Sequence, residues 1–306
     1  MTKPLSLVTG AAGFIGSNLV DYLLKHGHSV VCVDNESANN EKFHWAHENG
    51  MAINVKADIT DYRGMLNVLS GVDYVFHLAA ESRLQPAIEN PIRAVTKNCV
   101  GTTVMLQCAR EAGVKRFIYS STSSGYGNNP WPNVETQPDD SLNPYSASKV
   151  AAEKFCKMYT DLYGLETVVL RYFNVFGERS PSRGQYAPVI SIFDRQKADG
   201  EALTLVGDGS QKRDFVYVKD VARANYLASI MPLKKDGHDY TGEVFNIGSG
   251  KNYSIQEIAN AISDNQTYIP ERKGEMDTTL SDITKVGQVI GWKPEIDVME
   301  WVNGQE

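Results

Sequence analysis

Three glycines at a spacing of three, Gly10, Gly13 and Gly16, stand between a short apolar run, Leu5–Val8, and a stretch of helical periodicity, Phe14–His26. A strand that turns through glycines directly into a helix opens a βαβ unit, which constrains the chain to an α/β layer architecture. Glycine serves three needs there: a tight turn, close backbone approach by an anion, and tight packing of helix on strand. The alternation continues through residue 125. Val30–Val33, Ala52–Lys56, Tyr74–Leu78 and Arg116–Ser120 read as further strands, and Asn98–Ala112 as a helix, with Gly27 and Gly113 suited to helix C-termini. The predicted architecture is a doubly wound parallel sheet.

Asp34 closes the second strand 18 residues beyond Gly16. At that place a carboxylate accepts hydrogen bonds from an adenosine ribose, while the N-terminus of the first helix offers free N–H groups to a pyrophosphate. Asn35, Glu36 and Ser37 follow, with no basic residue to meet a 2′-phosphate. The expected cofactor is therefore NAD rather than NADP.

After a Pro/Asn-rich loop at 128–144, the pattern predicts a helix over Tyr145–Tyr163 and a buried strand over Thr167–Arg171. Periodicity weakens beyond Asn174, where the loops Gly177–Gly184 and Gly207–Arg213 appear. A helix at Val218–Ile230 and a strand at Val244–Ile247 look regular enough to return to the sheet. The expected division is thus a dinucleotide domain over 1–175 with a returning segment at about 215–248, and a smaller mixed α/β lobe over about 176–214 and 249–306. A length of 306 residues suits two such lobes.

With 42% hydrophobic and 22% charged residues the chain should pack a core, and its net charge of −7 lacks the basic excess of a nucleic-acid binder. Any anionic ligand must then be met by local backbone N–H groups and single arginines. No run of about 18 apolar residues and no signal-peptide layout is present, so a cytoplasmic protein without membrane contact is expected. Cys32, Cys99, Cys108 and Cys156 are widely spaced and read as buried free thiols. The histidines, His44 and His47 among them, lack convergent acid or thiol neighbours, and no metal site is expected.

Tyr145 and Lys149 lie four apart at a helix start and share a face. A phenol titrates near 10, too high for proton transfer at neutral pH, but the Lys149 ammonium and an oxidised nicotinamide would stabilise its phenolate. Tyr145 could then act as a base, with Lys149 also holding the nicotinamide ribose.

These features, together with His77-Leu78-Ala79-Ala80, Tyr119-Ser120-Ser121-Thr122 and Leu170-Arg171-Tyr172-Phe173-Asn174, resemble the extended short-chain dehydrogenase/reductase family, and within it the nucleotide-sugar 4-epimerases. The resemblance covers nearly the whole chain and implies a Rossmann-type domain and a homodimer formed through helices 98–112 and 145–163. It implies catalysis by Thr122, Tyr145 and Lys149. It places Gly10, Gly13, Phe14, Ile15, Gly16, Asp34, Asn35, Asp58, Ile59, Leu78, Ala79, Ala80, Asn98 and Tyr172 around NAD. On the side of a UDP-sugar substrate it places Ser82, Ser123, Ser124, Phe173, Asn174 and Val189, with Arg213 and Arg272 gripping the diphosphate and Thr279 limiting the sugar 2-substituent. For Asp58 a helix N-cap is the alternative reading. Ser123 and Ser124 stand where dehydrating relatives carry Asp-Glu, which favours simple redox at C4. Arg83 can read a uronate carboxylate or pair with Glu81, and Asp277 replaces an arginine found in relatives. A one-way 4-ketoreductase or dehydrogenase, a UDP-uronate 4-epimerase and a non-catalytic NAD-binding regulator are the competing readings.

Overall fold

A computed structural model describes residues 3–37, 50–184, 187–270 and 276–304. Its centre is a seven-stranded parallel sheet of β1 (Leu5–Thr9), β2 (Ser29–Asp34), β3 (Ala52–Lys56), β4 (Tyr74–His77), β5 (Arg116–Thr122), β6 (Glu166–Tyr172) and, from much later in the chain, β12 (Val244–Ile247). The spatial order is β12-β6-β5-β4-β1-β2-β3. β1 therefore lies between β2 and β4, and the chain leaves the centre in opposite directions on its two sides. That reversal opens a crevice at the strand C-termini, where open α/β sheets bind ligands.

The strands read as near-continuous apolar runs because helices cover both faces. Val8, Val30, Phe76 and Leu170 pack against α1 (Phe14–Lys25), α8 (Val218–Ile230) and α10 (Thr284–Ile290). Leu7, Val31, Val75 and Phe117 pack against α2 (Tyr62–Val68), α5 (Gly101–Glu111) and α6 (Pro144–Tyr163). β3 is an edge strand, which is why its Ile53 stays exposed.

The remaining elements build smaller sheets around a third core that includes Phe176, Phe193, Leu203, Phe215 and Ile258. β7 (Asn174–Phe176), β9 (Lys212–Tyr217) and β13 (Asn252–Ser254) form one sheet, and β8 (Leu203–Val206) pairs with β14 (Gln266–Ile269). α7 (Val189–Ala198), α9 (Ile255–Ile262) and α11 (Val298–Asn303) flank them, and β10 (Lys234–Lys235) with β11 (His238–Asp239) makes a surface hairpin. No described helix is long and apolar enough to cross a membrane.

Two expectations need correction. The helix predicted from Asn98 starts earlier: after α3 (Leu84–Glu89) comes α4 (Pro91–Val95), which runs through a π-helical turn, Thr96–Val100, into α5. The start signal is Asn90, whose side chain accepts the Arg93 N–H at 3.0 Å, followed by Pro91 at the first helical position. Of the four free cysteines, Cys32, Cys108 and Cys156 are buried, but Cys99 on the π turn is only half-buried. His44, His47 and Arg272 lie outside the described residues.

Candidate active site

A cleft of about 880 Å³ runs along the C-terminal edge of the sheet, from the β2 end past β1, β4 and β5 to β7 and α7. At its floor the glycine turn is forced by contact. A Cβ on Gly16 would stand 2.1 Å from the Gly10 carbonyl oxygen, and one on Gly10, whose φ is +68°, only 2.8 Å from the Ala79 nitrogen. Gly13 caps α1 without any side-chain bond to the helix N-terminus. Asp34, at the end of β2, accepts the Ala12 N–H at 3.0 Å and the Glu36 N–H at 2.7 Å, which aims its carboxylate along the cleft wall. This cradle suits a pyrophosphate and a ribose.

Leu78, Ala79 and Ala80 form the opposite wall, set by a hydroxyl–imidazole relay beneath them. Thr102 donates to the Asn98 carbonyl at 2.6 Å, so it can only accept from His77 Nε2–H at 3.0 Å. His77 Nδ1 then accepts from the Thr9 hydroxyl at 2.8 Å, and Thr9 Oγ1 in turn accepts the Leu78 and Ala79 N–H groups, each at 3.1 Å. The imidazole must be neutral for this chain to close. Complete burial and the Lys149 charge bring His77 down to about 3, consistent with that tautomer.

Thr122 ends β5 and accepts the Ser124 N–H at 3.1 Å, its own hydroxyl reaching Ser124 Oγ at 3.1 Å. Asn143 caps α6, accepting the Ser146 N–H at 2.9 Å, and Pro144 occupies the first position. Tyr145 and Lys149 therefore enter the cleft on the first turns of a firmly started helix. Burial raises the Tyr145 phenol above its ordinary value, opposed by the Thr122 hydrogen bond and the Arg83 charge. Burial brings Lys149 down to about 7, opposed by Glu153 and Cys156. The Lys149 ammonium lies 4.3 Å from the Tyr119 ring centre. The Lys149 ammonium together with an oxidised nicotinamide was expected to lower the phenol; of the chain's own groups it is Thr122 and Arg83 that lower it, and desolvation outweighs both.

Residues 6–248 match the NAD dependent epimerase/dehydratase family. The chain belongs to that family. It is 36% identical to the UDP-glucose 4-epimerase of Mycolicibacterium smegmatis, over 97% of this chain and 96% of that protein. It is also 34% identical to the UDP-glucuronate 4-epimerase of Thermodesulfobacterium geofontis, over 96% and 92%. Among solved structures, that of Thermotoga maritima UDP-glucose 4-epimerase with UDP-glucose superimposes with a TM-score of 0.89 at 35% identity, covering 98% of this chain and 96% of that one.

Within this family member, most residues expected around the cofactor and substrate do line the cleft: Phe14, Ile15, Asn35, Ile59, Tyr172, Ser82, Arg83, Ser123, Ser124, Phe173, Asn174, Val189 and Arg213. Three do not. Asp58 stands behind the wall, accepting from Lys97 Nζ at 2.6 Å, Asn35 at 3.3 Å and the Thr60 N–H at 3.0 Å. Burial would raise its carboxyl, yet those bonds hold it well below the usual range. It is not a helix cap either, since Asp61 caps α2. Asn98 is fully buried on the π turn, bonding the Glu81 backbone N–H at 2.7 Å and Ser148 at 3.0 Å, so it fixes the wall rather than forming it. Thr279 is buried under Asn174: its hydroxyl oxygen accepts from Asn174 at 3.2 Å and from the Asp214 N–H at 3.1 Å. In that position it sets the asparagine and does not face the cleft.

Glu81 pairs with Arg93 at 2.7 Å. Arg213 donates to the Asp277 and Lys212 carbonyls at 3.0 and 3.1 Å, so position 277 contributes its backbone while its side chain points outward. Sequence reasoning missed Glu81, Arg93 and Lys97 as cleft residues. The Asn90-Pro91 helix start would have brought Arg93 and Lys97 onto the cleft side of one helical run.

Proposed function

We propose that this chain is an NAD-dependent UDP-sugar 4-epimerase, inverting C4 of a UDP-hexose or UDP-N-acetylhexosamine through a transient 4-keto sugar. The observation that carries the reading is the meeting of Thr122, Tyr145 and Lys149 beside a complete dinucleotide cradle, with serines where elimination would need carboxylates. Bound NAD would supply a reversible hydride acceptor, held by Gly10, Gly13, Gly16, Asp34 and Lys149. Thr122 would orient the 4-hydroxyl and Tyr145 would take and return its proton. Tyr145 needs positive charge to ionise, because burial opposes its phenolate.

Of the carboxylates at the cleft, Asp34 and Glu36 belong to the β2 end and Glu81 is neutralised by Arg93. Among the described residues none is placed as a free acid or base beside Thr122, which supports epimerisation over dehydration. Asn174 and Arg213 would hold the diphosphate, together with Arg272. In this reading residues 1–175 and about 215–248 bind NAD, while 176–214 and 249–306 bind the nucleotide sugar.

One observation favours a second substrate, a UDP-uronate: Arg83 lines the cleft and its charge acts on Tyr145. We further propose a cytoplasmic homodimer, supported by the exposed Ile88, Ile92, Val95 and Val100 along α3, α4 and the π turn and by Leu162 and Tyr163 on α6. Light scattering at micromolar concentration tests that assembly.

The functional test uses purified protein with UDP-glucose, UDP-N-acetylglucosamine or UDP-glucuronate and no added cofactor, following the anomeric protons by NMR. Appearance of the galacto isomer supports the reading. Demand for stoichiometric reduced nicotinamide points to a ketoreductase, and retained NAD with no turnover to a regulator.

A further inference from the structure

Four residues after Lys149, on the same face of α6, Glu153 is buried to 4% exposure. Its carboxylate makes three bonds to the ends of two strands. Ser121, next to Thr122, donates to Glu153 Oε1 at 2.5 Å. Arg171, next to Tyr172, forks onto it, Nε to Oε1 at 2.9 Å and Nη2 to Oε2 at 2.6 Å. Arg171 is itself 3% exposed, reaches Asp139 at 2.9 Å, and lies 4.6 Å from the Tyr126 ring centre.

A pair this deeply buried repays its desolvation only with good geometry, and replacing such pairs by apolar residues is often neutral for stability. Structure alone thus gives weak reason for a charge here, and the location gives a better one. Besides Glu153, the described groups that act on Lys149 are Cys156 on its own helix, the Tyr119 ring on β5 and neutral His77 on β4, with Tyr145 one turn earlier on the same helix face. Glu153 leads the groups in that set that favour the ammonium; Cys156 comes second, and burial raises its thiol far above the ordinary value, so it carries no charge to match. We infer that Glu153 is a positioning residue: it ties the ends of β5 and β6 to the helix of Tyr145 and Lys149, and its charge, one helical turn from Lys149, favours the ammonium against desolvation. The inference rests on the proposed role of Lys149.

Its test compares wild type with Glu153→Gln, which keeps the shape and removes the charge, and with Glu153→Gln/Arg171→Met, which removes both charges of the pair. The first readout needs no turnover: the titration of the Lys149 ε-carbon by NMR in protein carrying 13C-lysine, assigned with Lys149→Met. Both variants should titrate lower than wild type by about one pH unit, the low end of what loss of a nearby opposite charge produces. The second readout is the pH profile of kcat, whose high-pH limb should move down by the same amount while KM changes little. A clamp whose only task is to neutralise Arg171 predicts wild-type titration restored in the double variant. That outcome, or an unmoved Lys149 in the single one, overturns the inference. If Glu153→Gln does not fold, Glu153→Asp retains the charge and withdraws it from Ser121; unmoved Lys149 titration with lowered kcat supports the dual role, and unchanged kcat overturns it. Absence of wild-type turnover with any UDP-sugar would sink the functional reading instead, and the NMR titration would still decide this one.

Discussion

Neutral His77 makes the stability of this protein sensitive to acid in a calculable way. In the unfolded chain an imidazole titrates near 6.5, whereas in the fold burial holds it near 3. A group whose folded pKa is depressed gives full stability above the unfolded value and loses it as pH falls through the window, here from about 6.5 down to about 3. Each pH unit within that window costs about 1.4 kcal/mol, so lowering the pH from 7.5 to 5 should remove about 2 kcal/mol through this one residue. The structural reason is that a second ring proton would face the Thr9 hydroxyl, whose own proton already points at Nδ1. Substituting His77→Gln keeps polar atoms and removes the titration. The substitution should carry a fixed penalty at pH 7.5. Urea unfolding of both proteins at pH 7.5, 6 and 5 should then show the gap between them narrowing by about 2 kcal/mol. Parallel curves would refute the neutral-imidazole argument.

Three further outcomes follow from the geometry. Gly16→Ala places a carbon 2.1 Å from the Gly10 oxygen and should open the turn, costing about 2 kcal/mol or more and stripping NAD from the purified protein, read by absorbance after denaturation. Tyr145→Phe should lower kcat by about 10²- to 10⁴-fold while bound NAD is unchanged; wild-type turnover in that variant would remove the tyrosine from the mechanism. Arg213→Ala should raise KM for UDP-sugars by about 10- to 100-fold, the worth of one charge-assisted hydrogen bond, with kcat little altered.

What the sequence made legible was mostly local. The glycine turn, Asp34 at a strand end, and Tyr145 with Lys149 on one helical face follow from backbone sterics and helix periodicity over short spans. Boundaries were less legible: the Asn90-Pro91 start lies ahead of the apolar pattern at 98–112, and the π turn that brings Asn98 to Glu81 has no periodic signature. Long-range burial was least legible. Nothing near Tyr145 in sequence shows that desolvation outweighs its Thr122 hydrogen bond and the Arg83 charge, because that depends on what β5 and the loop after β4 pack around it. Thr279 reads as a residue facing the sugar until the fold places its hydroxyl under Asn174 and the β9 backbone. The Glu153–Arg171 pair escaped for the same reason, since it joins α6 to β6 only after both have packed.

Reversible oxidation at C4 with cofactor retained is tested most directly by carrying UDP-glucose deuterated at C4 through turnover with no nicotinamide added. Deuterium should remain at C4 in both the gluco and galacto forms, because the same hydride leaves and returns. Washout of the label, or turnover only when fresh nicotinamide is supplied, would contradict hydride return from a retained cofactor.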